Sequence, residues 1–147
     1  MTGRSKARAA ARLAAVQALY QHMMEAVELP RLLDEFHQHR LGAEIEDMQF
    51  EKAETAFFDD LVSGTIARIA EIDDLLASRL AEGWTLERLD KTMLQILRVG
   101  TYEILARADV PTATAISEYI DVAHAFFEQR DAKFVNGVLD AVAKAVR

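Results

Sequence analysis

Apolar residues in the first part of the chain recur every three to four positions, which is the spacing of one face of an α-helix. The pattern predicts a first helix from Ser5 to about Val27, because Ser5 can cap it and Pro30 cannot continue it. The arginines of this segment are then expected on the solvated side. The residues that define the core face are Leu13, Val16, Leu19, Tyr20 and Met23.

The middle of the chain predicts one short and one long helix. The short helix is expected from Leu32 to Arg40, and the acidic stretch from Gly42 to Gln49 is interpreted as a loop. From Glu51 to Ala81 the apolar spacing predicts a long amphipathic helix, with a break near Gly64 or Gly83. This helix is expected to be the central core element.

Beyond Gly83, a short helix over Leu86–Lys91 is predicted, with Thr85 as its N-cap. The next apolar stripe predicts a helix over Met93–Ala108. Gly100 lies inside that helix, where glycine costs about 1 kcal/mol relative to alanine. We therefore expect Gly100 to permit a close contact with another helix.

Two further helices are predicted at the end of the chain. Thr112 or Thr114 can cap the first of them, and Asp131 can cap the last, whose apolar stripe runs from Val135 to Val146. The β-branched residues of the last stripe would also suit a strand, but its alanines and its three-to-four spacing favour helix. No hairpin or βαβ pattern occurs, so the sequence predicts an all-α, compact bundle of about seven helices.

Composition strengthens the helical prediction and narrows the chemistry. The chain has 25 alanines, which favour helix, and no cysteine, which excludes disulfides, thiolate metal ligands and thiol nucleophiles. No apolar run is long enough to span a bilayer or to act as a secretory signal. We therefore expect a cytoplasmic protein with no membrane association.

Charge is divided unevenly along the chain. The net charge is −7, yet the first twelve residues carry +4 and the remainder −11. On a helix, Arg4, Arg8 and Arg12 repeat every four residues as a basic ridge, with Lys6 to one side. Such a ridge suits a phosphate backbone, although a solubilising terminus explains the same charges equally well.

The sequence contains no convincing catalytic or metal-binding pattern. The pair His37 and His39 would point about 200° apart on a helix, so we expect no metal site there. Adjacent acids at 59–60 and 73–74 cannot share a proton on a helix and are interpreted as solvated, while His22 and His124 are expected to be partly buried. The glycines form no phosphate-binding loop. We predict no enzyme activity, no cofactor and no metal.

Several stretches decide the family. Their order and spacing resemble the NusB family of transcription antitermination factors over nearly the whole chain, and the last stretch is the most specific. They are Ala11-Arg12, Ala15-Val16-Gln17-Ala18-Leu19-Tyr20, Phe58-Asp59-Asp60-Leu61 with Gly64, Leu97-Arg98, Tyr102-Glu103, Asp109-Val110-Pro111, Ala115-Ile116-Ser117-Glu118 and Lys133-Phe134-Val135-Asn136-Gly137-Val138-Leu139-Asp140.

The resemblance implies a single RNA-binding domain, residues 1–147, made of two packed sub-bundles. It implies binding to the boxA element of ribosomal RNA operon transcripts together with NusE, a ribosomal protein, in an RNA polymerase complex that suppresses premature termination. Beside the basic ridge, the residues that it implies for RNA contact are Arg8, Arg12, Gln17, Tyr20, Lys133, Phe134 and Asn136. The acidic remainder of the chain suits a basic ribosomal protein, and candidate contacts to it are Glu87, Asp90 and Glu103.

Structural roles stay open for several of these residues. Tyr20 lies on a core stripe and Phe134 opens the core face of the last helix, so each can serve packing instead of stacking on a base. Asn136 can bond backbone groups, and Gly137 can permit a close helix contact.

Two departures and two alternatives remain. The family often has a denser arginine run at the start, and residues 126–132 replace a loop that usually contains glycine and serine, which leaves RNA contact by this loop open. A NusB-like domain of the kind joined to RNA cytosine methyltransferases is one alternative. A protein-binding adaptor or ribosomal-protein chaperone with incidental RNA affinity is another. The sequence also leaves the oligomeric state open, including a homodimer.

Overall fold

The computed structural model describes the backbone of residues 3–38 and 48–147, and the side chains of residues 6–38 and 54–147. These ranges form seven α-helices and one 3₁₀ helix, without a β-strand, so the predicted all-α class is confirmed. The helices are α1 (Gly3–Glu25), α2 (Leu29–Phe36), α3 (Met48–Ala67), α4 (Ile69–Ala77), the 3₁₀ helix (Leu86–Arg88), α5 (Lys91–Ala106), α6 (Thr112–Phe126) and α7 (Gln129–Val146). None of these helices is long and apolar enough to cross a membrane.

The chain divides into two compact units, Met1–Gly64 and Thr65–Arg147. In the first unit, α1 packs through small side chains: Ala7, Ala11, Ala14, Ala15 and Ala18 are all buried. Alanine lets the backbone of a neighbouring helix approach closely while it favours the helical conformation. The alanine content of α1 is therefore part of its packing.

The boundary between α1 and α2 differs slightly from the prediction. α1 begins at Gly3 and not at Ser5, and it ends at Glu25, followed by Ala26 in a left-handed conformation with φ of 53°. Pro30 lies in the first turn of α2, where its missing N–H costs nothing. The proline thus starts the second helix three residues earlier than expected. Residues 42–47 of the predicted loop lie outside the described residues. Its last two residues, 48 and 49, belong to α3 in the structure.

The expected helix over 51–81 is two helices in the structure. α3 ends at Ala67, and Arg68 leaves the helical conformation with φ of −111° and ψ of 21° before α4 begins. A break was predicted near Gly64 or Gly83, and the structure has it at Arg68, shortly after Gly64 and not at a glycine. The apolar spacing continues across the break, which is why periodicity did not reveal it. Gly83 instead lies in the loop after α4, with φ of 88°.

The second unit is built around the contacts among α5, α6 and α7. At their centre a Cβ added to Gly100 would lie 3.0 Å from Leu139 Cδ1 and 3.3 Å from Tyr119 Cγ. Leu139 and Tyr119 are fully buried. The prediction that Gly100 permits a close helix contact is confirmed.

The start of α5 is capped by an acid that the sequence analysis did not assign to capping. Asp90 Oδ1 accepts hydrogen bonds from the backbone N–H groups of Thr92 at 2.8 Å and Met93 at 3.1 Å. The predicted helix over 86–91 is only a three-residue 3₁₀ turn, because Leu89 returns to an extended conformation before this cap.

Thr85 is the N-cap residue of the 3₁₀ helix, as predicted, although its side chain makes no capping hydrogen bond. The caps predicted for the last two helices are wrong. Pro111 precedes α6 in place of a threonine, and Glu128 is the N-cap residue of α7, without a side-chain bond. Asp131 lies instead in the first turn of α7, where a negative charge still interacts favourably with the helix dipole.

Candidate nucleic-acid interface

Arg8 and Arg12 on α1 both lie against one aromatic ring of α3. Their guanidinium carbons are 4.5 Å and 5.1 Å from the ring centroid of Phe57, within cation–π range. Arg8 Nε also lies 3.8 Å from Glu54 Oε2, an ion-pair distance. Four side chains from two helices therefore form a cluster, which we call the arginine cluster: Arg8, Arg12, Glu54 and Phe57.

The arginine cluster corrects the prediction of a solvated basic ridge. Arg12 is only 2% exposed, and the Arg8 side chain keeps 21% of its surface accessible. Lys6 is exposed, while the side chain of Arg4 lies outside the described residues. The prediction of a solvated ridge was wrong for Arg12 because the partners of the arginines, on α3, are more than forty residues away in sequence. Among the side chains of α1 that the structure describes, Arg8 and Lys6 are the cations that an anion can reach directly.

The geometry also fixes how Arg8 is presented. A guanidinium that is flanked by a ring and a buried carboxylate loses little further freedom when it binds a phosphate. Glu54 is 1% exposed, so its position is set by the packing of α3. The remaining accessible surface of Arg8 can offer donors to a phosphate oxygen. The cluster therefore suits anion binding at the surface of α1.

Further along α1, Tyr20 is 38% exposed, although it was placed on the core stripe. Gln17, one turn earlier, is half-buried. The ring of Tyr20 is therefore available for stacking, and the packing role considered for it is not supported. The described part of α1, from Lys6 onward, therefore presents the cations Lys6 and Arg8 and the ring of Tyr20 to solvent.

On α7, Lys133 and Asn136 are exposed one turn apart, and Phe134 is half-buried. A Cβ added to Gly137 would meet no atom within 4 Å, so the expected close helix contact at Gly137 is wrong. Within the described residues Asn136 makes no hydrogen bond to the backbone either. Both Lys133 and Asn136 therefore present their polar groups to solvent in the second unit.

The three candidate partner contacts have different surroundings. Glu87 is exposed on the 3₁₀ helix, and Asp90 is exposed while it caps α5. Glu103 is 0% exposed and accepts a 2.7 Å hydrogen bond from the hydroxyl of Tyr119. The suggestion that Glu103 contacts a partner is therefore wrong for this conformation, because nearly the whole of α5 is buried.

The paired acids are more engaged than the sequence analysis expected. Asp73 accepts two hydrogen bonds from Arg98, at 2.9 Å and 2.8 Å, and Asp59 pairs with Nε2 of His37. The solvated interpretation is therefore wrong for Asp59 and Asp73. His39 of the predicted histidine pair lies outside the described residues. In the part of the chain that was searched, no three His, Asp or Glu side chains are placed to hold a metal.

The sequence analysis missed a cavity in the second unit. It has a volume of about 460 Å³ and is bordered by the 3₁₀ helix, the start of α5 and the start of α7. Trp84, Phe127 and Phe134 contribute aromatic rings to it, and Arg88 and Arg130 contribute cations. No helical spacing signalled the meeting of Trp84 and Arg88, because Trp84 precedes the 3₁₀ helix.

Family membership is decided by comparison with known proteins. A profile of the NusB family matches residues 9–144.

The chain belongs to the NusB family.

One relative, "Transcription antitermination protein NusB" of Novosphingobium aromaticivorans, is 71% identical over 142 residues, covering 97% of this chain and 96% of that protein. The solved structure of T. maritima NusB is 34% identical, with a TM-score of 0.75, and covers 93% of this chain and 90% of that one. A crystal structure of antitermination factors NusB and NusE in complex with dsRNA gives a TM-score of 0.78 at 24% identity, covering 95% of this chain and 98% of that one. This last likeness shows a shared fold. Three residues of the arginine cluster lie within the residues that the NusB family profile matches: Arg12, Glu54 and Phe57. Arg8 immediately precedes the first matched residue.

Proposed function

We propose that this chain is a transcription antitermination factor that binds boxA RNA of ribosomal RNA operon transcripts together with NusE and suppresses premature termination. The observation that carries the proposal is the 71% identity, over nearly the full length of both chains, to a transcription antitermination protein. The surface of α1 supports it with cations that a phosphate can reach.

Each proposed RNA contact has a distinct task. Lys6 and Arg8 neutralise phosphates, and Arg12 holds Phe57 and thereby the position of Arg8 from inside the cluster. Gln17 and the exposed ring of Tyr20 contact an unpaired base by hydrogen bonding and stacking. In the second unit, Lys133, Phe134 and Asn136 provide a phosphate contact, an aromatic edge and a base-edge hydrogen bond, respectively.

The partner proposal rests on charge. Residues 13–147 carry −11, which is complementary to a basic ribosomal protein such as NusE. Glu87 and Asp90 are the exposed acids among those suggested for this contact. The assembled complex acts on RNA polymerase in the cytoplasm, and this chain catalyses no reaction in it.

A protein-binding adaptor without functional RNA affinity is the second candidate. It is favoured by the pairing of Arg8 with Glu54, which reduces the net positive charge of the arginine cluster. In that case NusE binding would persist while RNA binding would show no sequence preference. A homodimer would compete with either assembly if it covered α1.

The test is a titration of fluorescently labelled boxA RNA, beside a scrambled RNA of equal composition, with and without NusE. We expect a preference for boxA and about tenfold weaker binding by Tyr20→Ala, because a stacked base contributes roughly 1–3 kcal/mol. The matched control is Met24→Ala, which removes a side chain that is 56% exposed on the same helix and should leave affinity unchanged. Equal affinity for boxA and scrambled RNA under all conditions would favour the adaptor.

A further inference from the structure

The side chain of Arg147, the C-cap residue of α7, reaches across the second unit to the junction of α5 and α6. Its guanidinium donates four hydrogen bonds there, and we call these four contacts the Arg147 clamp. The acceptors are the carbonyls of Ile104 at 3.0 Å, Arg107 at 2.9 Å and Val110 at 2.9 Å, and the hydroxyl of Thr112 at 2.9 Å. One side chain therefore joins the ends of three helices.

The carbonyls of the clamp have few other donors within reach. Ile104 lies in the last turn of α5, where the carbonyls of a helix lack a helical partner. Ile104 is 1% exposed and Val110 3% exposed, so water has little access to these residues. A buried carbonyl that loses its donor destabilises the closed conformation. Loss of the guanidinium should therefore favour local opening of the junction.

The clamp depends on the shape of the arginine side chain as well as on its charge. Nε donates to Ile104, Nη2 to Arg107, and Nη1 to both Val110 and Thr112. A lysine ammonium carries its donors on one atom and does not reproduce this planar fork. Positive charge at the ends of α5 and α7 is favourable for either side chain, because the C-terminus of a helix carries partial negative charge.

The clamp is the long-range part of the bonding at this junction. The donor and its acceptors are 35 to 43 residues apart in sequence. Local contacts shape the turn itself: the N–H of Val110 donates to the carbonyl of Arg107 at 3.0 Å, and Arg107 pairs with Asp109 at 3.1 Å. Arg147 as a whole residue is exposed, so its side chain can leave these acceptors without prior opening of the core.

We propose that Arg147 is a releasable clamp that makes the turn over residues 107–111 and the last turn of α7 open and close as one unit. Local opening of proteins typically occurs in such cooperative units. The clamp lies at the opposite end of α7 from Lys133 and Asn136, so this device is separate from the proposed RNA contacts. A cation that merely interacted with the helix ends would leave the two segments free to open independently.

Amide hydrogen exchange, followed by NMR over a series of low urea concentrations, tests the coupling. In the unaltered protein, the amide of Val110 and the amides of residues 143–146 should show the same opening equilibrium and the same dependence on urea. In Arg147→Gln both should exchange about tenfold faster or more, because buried carbonyls lose their donor, and the two segments should no longer follow one curve.

Limited proteolysis with trypsin gives a second measurement that separates local opening from general loss of stability. Arg107 lies in the clamped turn, whereas Arg79 is exposed after α4 and provides an internal reference. Arg147→Gln should raise the rate of cleavage after Arg107 about tenfold relative to cleavage after Arg79, because the turn loses buried hydrogen bonds. Mass spectrometry of the fragments measures both rates in the same sample.

Two further variants provide the controls. Arg147→Lys keeps the charge and loses the fork, so its exchange and cleavage should resemble those of Arg147→Gln. Lys144→Gln removes another exposed cation from the last turn of α7, where it contacts only Asp140 among the printed ion pairs of that turn, at 3.0 Å. This variant should leave the exchange of Val110 and the cleavage after Arg107 unchanged.

Three results would overturn the proposal. Separate urea curves for the two segments in the unaltered protein would show that they open independently. Equal acceleration of cleavage after Arg79 and Arg107 in Arg147→Gln would show that Arg147 contributes only to overall stability. Slow cleavage retained in Arg147→Lys would show that positive charge alone closes the junction. Joint opening, relative acceleration after Arg107 and failure of lysine to substitute would support the clamp.

Discussion

Arg8 and Arg12 occupy equivalent positions in the sequence pattern, one turn apart on α1. Their different burial nevertheless gives them different roles. Arg12 is buried, whereas the side chain of Arg8 is partly exposed to solvent. A buried guanidinium over an aromatic ring stabilises packing, and a partly exposed one can still exchange water for phosphate oxygens. Affinity and stability should therefore respond differently to the two substitutions.

Arg8→Gln is expected to weaken RNA binding and to lower the slope of log affinity against log salt by about 0.7, the value for one phosphate contact on a single strand. Arg12→Gln is expected to lower the free energy of unfolding by about 1–2 kcal/mol, since it removes a desolvated cation–π contact. Salt-dependent anisotropy titrations and urea unfolding measure the two effects. A larger loss of slope for Arg12 than for Arg8 would contradict this division.

The candidate site was predictable from the sequence only in part. The cations of α1 and the polar residues of α7 are visible in the local sequence and in the family resemblance. The burial of Arg12 is not, because Glu54 and Phe57 are brought to it by the tertiary fold. Tyr20 shows the opposite error: its spacing fits the core stripe, but the ring extends to solvent. Apolar periodicity identifies the side of a helix that faces the core, but it does not show how far around the helix the buried surface extends.

Arg68 and Glu71 provide a pH-dependent contact at the start of α4. Arg68 donates hydrogen bonds of 2.8 Å and 3.0 Å to the two carboxylate oxygens, which lowers the pKa of Glu71 below its ordinary value. A lowered pKa means that the contact stabilises the fold above the unfolded pKa and is lost as pH falls through the folded pKa.

We therefore expect Arg68→Gln to raise the pKa of Glu71 toward its ordinary value and to reduce stability slightly above the unfolded pKa, a difference that disappears as pH falls through the folded pKa. Carboxyl chemical shifts of Glu71, followed by NMR across an acid titration, give the pKa directly. The surface is solvated, so the change in unfolding free energy should be small. An unchanged midpoint for Glu71 would show that the ion pair does not persist in solution.

At the scale of elements, two helical glycines of the second unit should respond in opposite directions to alanine. Gly100→Ala gains about 1 kcal/mol of helix propensity but forces a methyl group against Leu139 and Tyr119, an overpacking that typically costs about 1–3 kcal/mol. Gly137→Ala meets no neighbour within 4 Å and should gain about 0.5–1 kcal/mol. Urea unfolding measures both free energies, and stabilisation by Gly100→Ala would show that the core has room.

The elements themselves were predicted more completely than their ends. Long stripes such as that of α5 locate helices because burial dominates their energy. The position of the break at Arg68 was missed because the stripe continues across it, and the cap of α5 was missed because Asp90 was placed inside a helix that ends at Arg88 in the structure. Ends depend on a few hydrogen bonds of about 1 kcal/mol each, which several neighbouring residues can supply.

At the scale of the whole chain, the charge division supports the proposed role of a partner. A chain of net −7 repels RNA in general, and Glu54 offsets part of the basic charge on α1. Each phosphate contact proposed for this chain depends on cations held locally on α1 or α7. A basic partner would add contacts and reduce the repulsion, which makes RNA affinity conditional on assembly.

The resulting prediction is reciprocal coupling between NusE and boxA RNA. NusE should tighten boxA binding by about 5–150-fold, the range of typical coupling energies, and boxA should tighten NusE binding by the same factor. Calorimetry of each binary pair and of the ternary mixture at one fixed salt concentration measures both factors, and a scrambled RNA provides the control. The variant Glu54→Gln sharpens the test, because loss of the counter-charge should raise affinity for RNA alone and leave less for NusE to add. Independent affinities in the ternary mixture would rule out a composite RNA site and leave the adaptor as the better account of a protein with this charge division.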